Sequence, residues 1–182
     1  MVKDPYLKEI FPEPPMIAFR RPKSLKDLLV RAKVPPPPTR KSTRHLSGMK
    51  KCGNCDVCPY VDETKTCSSL NSSFSVKVNK PVSCCTENVI YLISCTKCSE
   101  QYVGQTGREF KKRMKEHLGY INNFKFSEPT GKHFNLPNHD ISMFKCSIIE
   151  KCSLNSKVYR ENREEDFIKA FHTKFKGMNR KM

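Results

Sequence analysis

All ten cysteines of this 182-residue chain lie between Cys52 and Cys152, and the first 50 residues contain none. That distribution constrains the fold more than any other feature. Cys95-x2-Cys98, followed by His133-x5-His139, offers four thiolate or imidazole ligands in two close pairs, the donor set of a tetrahedral structural zinc. Leu136-Pro137-Asn138 lies between the histidines, and its turn chemistry lets both rings face one point. Cys52-x2-Cys55-x2-Cys58 forms a second dense cluster. Its preferred fourth ligand is Cys85, just ahead of the first strand, with Cys67 and Cys84 as competitors. Cys146 and Cys152 read as plain thiols in or beside a strand. Ten is an even count, so a disulfide framework is the rival reading. The basic composition and the absence of a secretory pattern weigh against it.

Charge divides the chain in the same place. Residues 1–50 carry twelve Lys/Arg against four Asp/Glu and nine of the thirteen prolines, so half of the net charge of +16 sits in this first stretch. It reads as a basic, proline-rich linker or phosphate-contacting arm. Ser24 can cap one short helix over residues 24–30, where Leu25, Leu28 and Leu29 share a face. Pro35-Pro36-Pro37-Pro38 then imposes extended geometry. The longest apolar run, residues 89–93, is far short of the roughly 20 residues a membrane helix needs. Early charges and prolines stand where a secretory leader would have an apolar core. The composition fits a reducing, intracellular and nuclear setting.

From Asn88 onward the pattern is that of a folded domain. Residues 89–93 are β-branched and aromatic, and residues 101–104 form a second short strand, so the two make a hairpin tipped by Cys95 and Cys98. Residues 108–118 place Phe110, Met114, His117 and Leu118 on one side at helical spacing, with Lys111, Lys112 and Lys115 on a basic exposed face. Residues 143–149 alternate as a third strand. Residues 155–173 read as a longer helix carrying Val158, Tyr159, Phe167, Ile168 and Phe171. The order strand, strand, helix, strand, helix implies an α/β (α+β) architecture, a small three-stranded antiparallel sheet flanked by helices, with zinc-binding inserts. Three segments result: an arm over 1–50, a cysteine-rich segment over 51–87, and a compact domain over 88–182.

Tyr91 in Val89-Ile90-Tyr91, Tyr102-Val103-Gly104, and Arg113 and His117 on the next helix resemble the signature of the GIY-YIG endonucleases. Arg163-Glu164 and the closing Gly177-Met178-Asn179 match that family's helical glutamate and terminal asparagine. The Cys95/Cys98 insert and the His133/His139 pair resemble, more narrowly, the endonuclease domain of Penelope-like retroelements. The likeness covers residues 52–182, and residues 19–30 resemble the linker that joins reverse transcriptase to endonuclease there. Val89 stands where the first motif has glycine, and Phe167 where tryptophan is usual. The resemblance implies a DNA endonuclease with a tyrosine as general base, directly or through water. Tyr91 is the preferred base and Tyr102 its positioning partner, and Asn179 is implied as a further site residue.

The same residues suit phosphodiester hydrolysis on chemical grounds. The reaction needs an activated water, positive charge where the phosphorane forms, and help for the leaving oxygen. Arg113 offers a fork of donors that matches a phosphate. Glu164 offers a hard oxygen ligand for Mg²⁺ or Mn²⁺, and His117, one turn after Arg113, can orient a tyrosine or a water. With an ordinary pKa near 10, a tyrosine base needs local positive charge.

Three functions fit: a nicking endonuclease of a mobile element whose cut primes reverse transcription, a repair nuclease acting on branched DNA, and a non-catalytic zinc-binding nucleic-acid module. The expected partners are DNA and, for the first, a reverse transcriptase domain or its RNA. If residues 1–50 contact phosphates, deleting them weakens binding to all DNA sequences alike and flattens the dependence of log K on log salt, as binding titrations at several salt concentrations will show. An unchanged slope would identify the stretch as a tether only.

Overall fold

A computed structural model of the chain describes residues 5–10 and 47–179, which fall in two units divided between residues 41 and 42. Helix α1 (Pro5–Ile10) belongs to the first unit. The helix expected at 24–30, the proline run at 35–38 and the linker-like stretch at 19–30 lie outside the described residues.

The second unit is built on a three-stranded sheet of β5 (Val89–Cys95), β6 (Gln101–Thr106) and β7 (Phe144–Lys151), in the order β6-β5-β7. Both pairings are antiparallel. The α/β architecture read from the sequence is therefore present. All of β5 except Ser94 is buried, because layers cover both faces of this central strand. A register shift at Ile90/Tyr91 sets two residues of β7 against the approach to Tyr91, and such a bulge bends a strand and re-aims its side chains.

Helix α2 (Phe110–Asn122) buries Phe110, Met114, His117, Leu118 and Ile121, the stripe its sequence spacing predicts, extended by one turn. Its lysines do not form a free basic face. Lys111 and Lys112 pair with Glu109, and Lys115 reaches Asp56 in the cysteine-rich segment. Helix α3 (Pro129–Phe134) follows, with proline in its first turn.

Helix α4 (Lys157–Ala170) starts at Ser156, whose hydroxyl accepts from the Tyr159 N–H. It stops short of the expected Thr173. His172 adopts a left-handed backbone (φ 57°), and a separate turn, α5 (Thr173–Lys176), follows. Val158, expected on the apolar face, is 65% exposed. The buried face is set by Arg160 and Phe167, and at 100° per residue Val158 points to the opposite side of the helix from Arg160.

The cysteine-rich segment adds β1 (Gly48–Lys50), β2 (Thr66–Ser68), β3 (Ser75–Lys77) and β4 (Pro81–Ser83). β1 pairs parallel with β4, and β2 pairs antiparallel with β3. Val61 bridges to Cys146 of β7, which docks the segment on the main sheet. Because Met49 is buried in the core, ordered structure reaches back across the boundary drawn at residue 50. An arm deletion that spares the fold therefore ends before Ser47.

Candidate active site and metal centres

The pairing of β5 with β6 sets Tyr91 directly opposite Gly104 and Ile93 opposite Tyr102. The two tyrosines are thus diagonal neighbours on one face, with ring centroids 6.4 Å apart. Tyr91 lies across the Gly104 backbone. A Cβ at position 104 would stand 2.5 Å from the Tyr91 Oη and 2.8 Å from Tyr102 Cε1, so only glycine fits beneath the phenols.

Helix α2 brings Arg113 and His117 to the Tyr91 hydroxyl. Arg113 Nε donates to it at 3.1 Å, and His117 Nε2 lies 2.8 Å away. Burial, aided by the nearby Arg113 charge, lowers the His117 pKa to about 3, so the ring is neutral. The other ring nitrogen, Nδ1, sits 3.0 Å from the buried Thr130 hydroxyl of α3. With Nδ1–H directed to Thr130, Nε2 is free to accept the Tyr91 proton. Arg113 also donates to Glu116 at 2.7 Å, and Glu116 in turn pairs with Arg108. Burial opposes the Arg113 charge, but the tyrosines and Glu116 around it offset that and keep it protonated.

These contacts divide the tyrosines differently from the sequence expectation. Tyr91, preferred there as the base, is wholly buried with its hydroxyl held by Arg113 and His117. Tyr102 is only partly buried and is the more exposed of the two phenols. Burial raises both phenols above their ordinary range, and the Glu164 charge adds to this at Tyr102.

Glu164 approaches along the outer edge of β6. The Gln105 backbone amide favours its charged form, and Arg113, Tyr91 and Tyr102 lie within electrostatic reach of it. Burial nevertheless dominates and raises the Glu164 pKa to about 7. A half-buried carboxylate with its charge this poorly compensated suits a divalent cation, and Glu164 is placed to hold one. Asn179 lies farther along the same edge. Its Oδ1 accepts from the Val103 N–H and its Nδ2 donates to the Val103 carbonyl, both at 2.8 Å. Asn179, expected as a site residue, thus clamps the outer edge of β6, with one N–H and one oxygen lone pair beyond these two bonds.

Two groups of side chains converge as metal centres do. In the first, the ligand atoms of Cys95, Cys98, His133 and His139 all lie within 4.8 Å of one another. Each histidine is oriented by its other nitrogen, His133 Nδ1 by Glu100 at 3.3 Å and His139 Nδ1 by the Pro137 carbonyl at 3.2 Å, as metal-ligating histidines are. Burial holds His133 below its ordinary pKa, in the neutral form a metal needs. His139 Nε2 is buried and has no hydrogen-bond partner, a cost that a metal ion would remove.

The second group is Cys52, Cys55, Cys58 and Cys84. Sulfur separations of 3.6 Å (Cys52 to Cys58), 3.4 Å (Cys55 to Cys58) and 3.8 Å (Cys58 to Cys84) suit a tetrahedral ion, since a metal–sulfur distance of about 2.3 Å puts ligands about 3.8 Å apart. The fourth member corrects the sequence assignment. Cys84 is fully buried, whereas the adjacent Cys85 turns outward and its sulfur accepts from Lys111 Nζ at 3.4 Å. All ten cysteines are free thiols, so the disulfide reading has no support here. The backbone N–H bonded at Cys55 draws Cys58 down to about 6, toward the thiolate that binds metal.

Several residues of the site carried no readable signal. Thr130 and Glu100 act through partners remote in sequence. Arg160 bonds Gln105 Oε1 at 3.1 Å and Asn88 Oδ1 at 2.7 Å, bracing the stretch of β6 that meets Glu164. Only Glu116, three residues after Arg113, had a legible pairing.

A profile of the GIY-YIG catalytic domain matches residues 87–179, just over half of the chain. No curated protein and no solved structure gives a match.

Two outcomes are expected. Cys84→Ser and His139→Ala each release about one equivalent of bound metal and lower the thermal midpoint, while Cys85→Ser retains the full complement, as metal analysis of the purified variants will show. At Glu164 the proton and a divalent cation compete. Raised above the ordinary carboxylate range, the group favours folding while protonated, and that contribution is lost as pH rises through about 7. The affinity for added Mg²⁺ therefore climbs up to that pH and then levels off, and Glu164→Gln abolishes the climb in calorimetric titrations.

Proposed function

The chain belongs to the GIY-YIG catalytic domain family, and we propose that it is a metal-dependent endonuclease that nicks DNA to prime reverse transcription of a Penelope-like retroelement. Nuclease chemistry on DNA follows from the family. The observation that carries the assignment to these residues is the convergence of Arg113, His117, Tyr91, Tyr102 and Glu164, drawn from two strands and two helices, on one rim of the sheet.

In this reading Arg113, held rigid by Tyr91 and Glu116, binds the scissile phosphate and stabilises the charge that builds on it. Tyr102, the more exposed phenol, would hold the attacking water and, as a phenolate after losing its own proton to solvent, take the proton of that water. Tyr91 links Arg113 to the neutral His117, so its hydroxyl orients the guanidinium and shares its own proton with the imidazole. When bound at Glu164, Mg²⁺ or Mn²⁺ would polarise the phosphate, assist the leaving oxygen and offset the Glu164 charge that adds to burial in keeping the Tyr102 pKa high. Glu164 is the residue that would hold it. The two Cys/His groups would hold structural zinc, which their soft donors and tetrahedral spacing favour.

The retroelement context rests on the Cys95/Cys98 insert between the tyrosine strands, its partners His133 and His139, and the linker-like sequence at 19–30. It brings with it a reverse transcriptase domain as partner and the nucleus as place of action. A non-catalytic zinc module would have no use for a glycine-seated pair of phenols, one bonded to a half-buried arginine, and a repair nuclease would act on branched DNA without a polymerase partner.

Incubated with supercoiled plasmid and Mg²⁺, the protein is expected to yield nicked circles. Arg113→Ala and Glu164→Gln each cut the rate by about a hundredfold or more, with circular dichroism unchanged. Tyr102→Phe costs more than Tyr91→Phe if the more exposed phenol takes the proton. Normal nicking by Glu164→Gln, with Glu161 essential instead, would overturn the assignment of the metal ligand.

A further inference from the structure

The loop between α2 and α3, residues 122–128, carries an Asn-Asn-Phe-Lys-Phe-Ser-Glu sequence with no part in the chemistry above. Phe124 is 64% and Phe126 55% exposed. Neither ring makes an aromatic contact among the described residues, although exposed phenylalanines two apart leave apolar surface in water at a cost.

The loop is nonetheless held firmly. The Phe124 N–H donates to the Ile121 carbonyl at 3.2 Å, Lys125 N–H to the Tyr120 carbonyl at 2.9 Å, and Glu128 N–H to the Lys125 carbonyl at 3.1 Å. Asn135 Nδ2 donates to the Ile121 carbonyl at 2.9 Å from the far side. Gly131 packs so closely beneath the Lys125 carbonyl that no Cβ fits there. Phe124 itself takes a left-handed backbone, φ 50°, which a bulky residue adopts only where its surroundings impose it.

The ends of the loop adjoin residues that neighbour the reacting groups. At one end the Tyr120 ring meets His117 edge-on at 5.8 Å, and Lys125 lies 5.6 Å over the Tyr120 ring. At the other, Glu128 is close enough for its charge to act on Tyr102. The loop therefore follows directly on the helix that carries Arg113 and His117, and both of its phenyl rings are exposed to solvent.

We propose that Phe124 and Phe126 form a base-stacking wedge that receives unpaired bases of the DNA beside the scissile phosphate, so that the enzyme prefers unpaired or opened DNA at the cut. The proposal deepens the nuclease reading and rests on it. Aromatic faces stack on any base, a lysine between them suits the adjoining backbone, and apolar wedges inserted at base steps hold a duplex open. The net charge of +16 favours a polyanion as the occupant over an acid-poor protein surface or a second copy of this equally basic chain.

The test is binding of the full chain, without added divalent cation, to oligonucleotides of equal length that are fully paired or carry a short unpaired tract with 2-aminopurine. The wild type is expected to bind the unpaired tract more tightly and to quench its fluorescence. The double variant Phe124→Ala/Phe126→Ala should lose roughly tenfold or more in affinity for the unpaired tract and lose the quenching, while binding paired DNA within about twofold of wild type. Phe124→Trp/Phe126→Trp should retain both properties, and melting curves should show the alanine variant folded. Equal loss on both DNAs, no quenching by wild type, or a concentration-dependent dimer abolished by the alanine pair would overturn the wedge. Because no cleavage is measured, the wedge can fail while plasmid nicking persists, and nicking can fail while stacking is observed.

Discussion

The Tyr91 hydroxyl joins the sheet to the helix that carries the arginine, and the rest of the site is arranged around that junction. Its ring is seated over Gly104 on the neighbouring strand, where any side chain would collide. Its oxygen is held between Arg113 and His117 on α2. A buried polar atom must find partners or cost a few kcal/mol. The packing of α2 on the sheet and the aim of Arg113 are thus settled by one satisfied hydroxyl. Thr130 extends the chain of contacts into α3, so three elements are locked in register by the candidate site residues.

The edge of the sheet shows the same economy. β6 is an outer strand, and its unpaired backbone groups would otherwise remain open. Asn179 satisfies both groups of Val103, the Met178 N–H bonds the Gln101 carbonyl, and the Gln105 backbone amide favours the charged form of Glu164. Closing the edge and placing the carboxylate proposed to hold a metal are therefore one structural act.

The Cys/His groups stand where a small core would leave connections loose. The first pins the tip of the β5–β6 hairpin to the α3 region through His133 and His139. The second draws Cys52, Cys55 and Cys58 onto Cys84, whose carbonyl accepts from the Lys111 N–H at the start of α2, as the Thr86 carbonyl does from Phe110. A metal in the second group would fix the first turn of the helix that presents Arg113. Binding there would contribute to folding and to the precision of the site together.

The sequence by itself determined the strands at β5, β6 and β7, the apolar stripe of α2 and the two clusters of soft ligands. Each of these is written in local periodicity or spacing, which short-range sterics and solvent exposure translate directly into structure. It also carried the tyrosine, arginine and glutamate motifs by their resemblance to a family. What it left open was decided by tertiary packing: Cys84 over Cys85, because adjacent side chains point to opposite sides and only the fold says which side is buried; Tyr102 over Tyr91 as the more exposed phenol, because exposure depends on the layer laid above each strand. Asn179 as a clamp on β6, Val158 in solvent and the strand at Gly48–Lys50 follow for the same reason. Each depends on a partner distant in sequence, and no local pattern encodes where that partner will be.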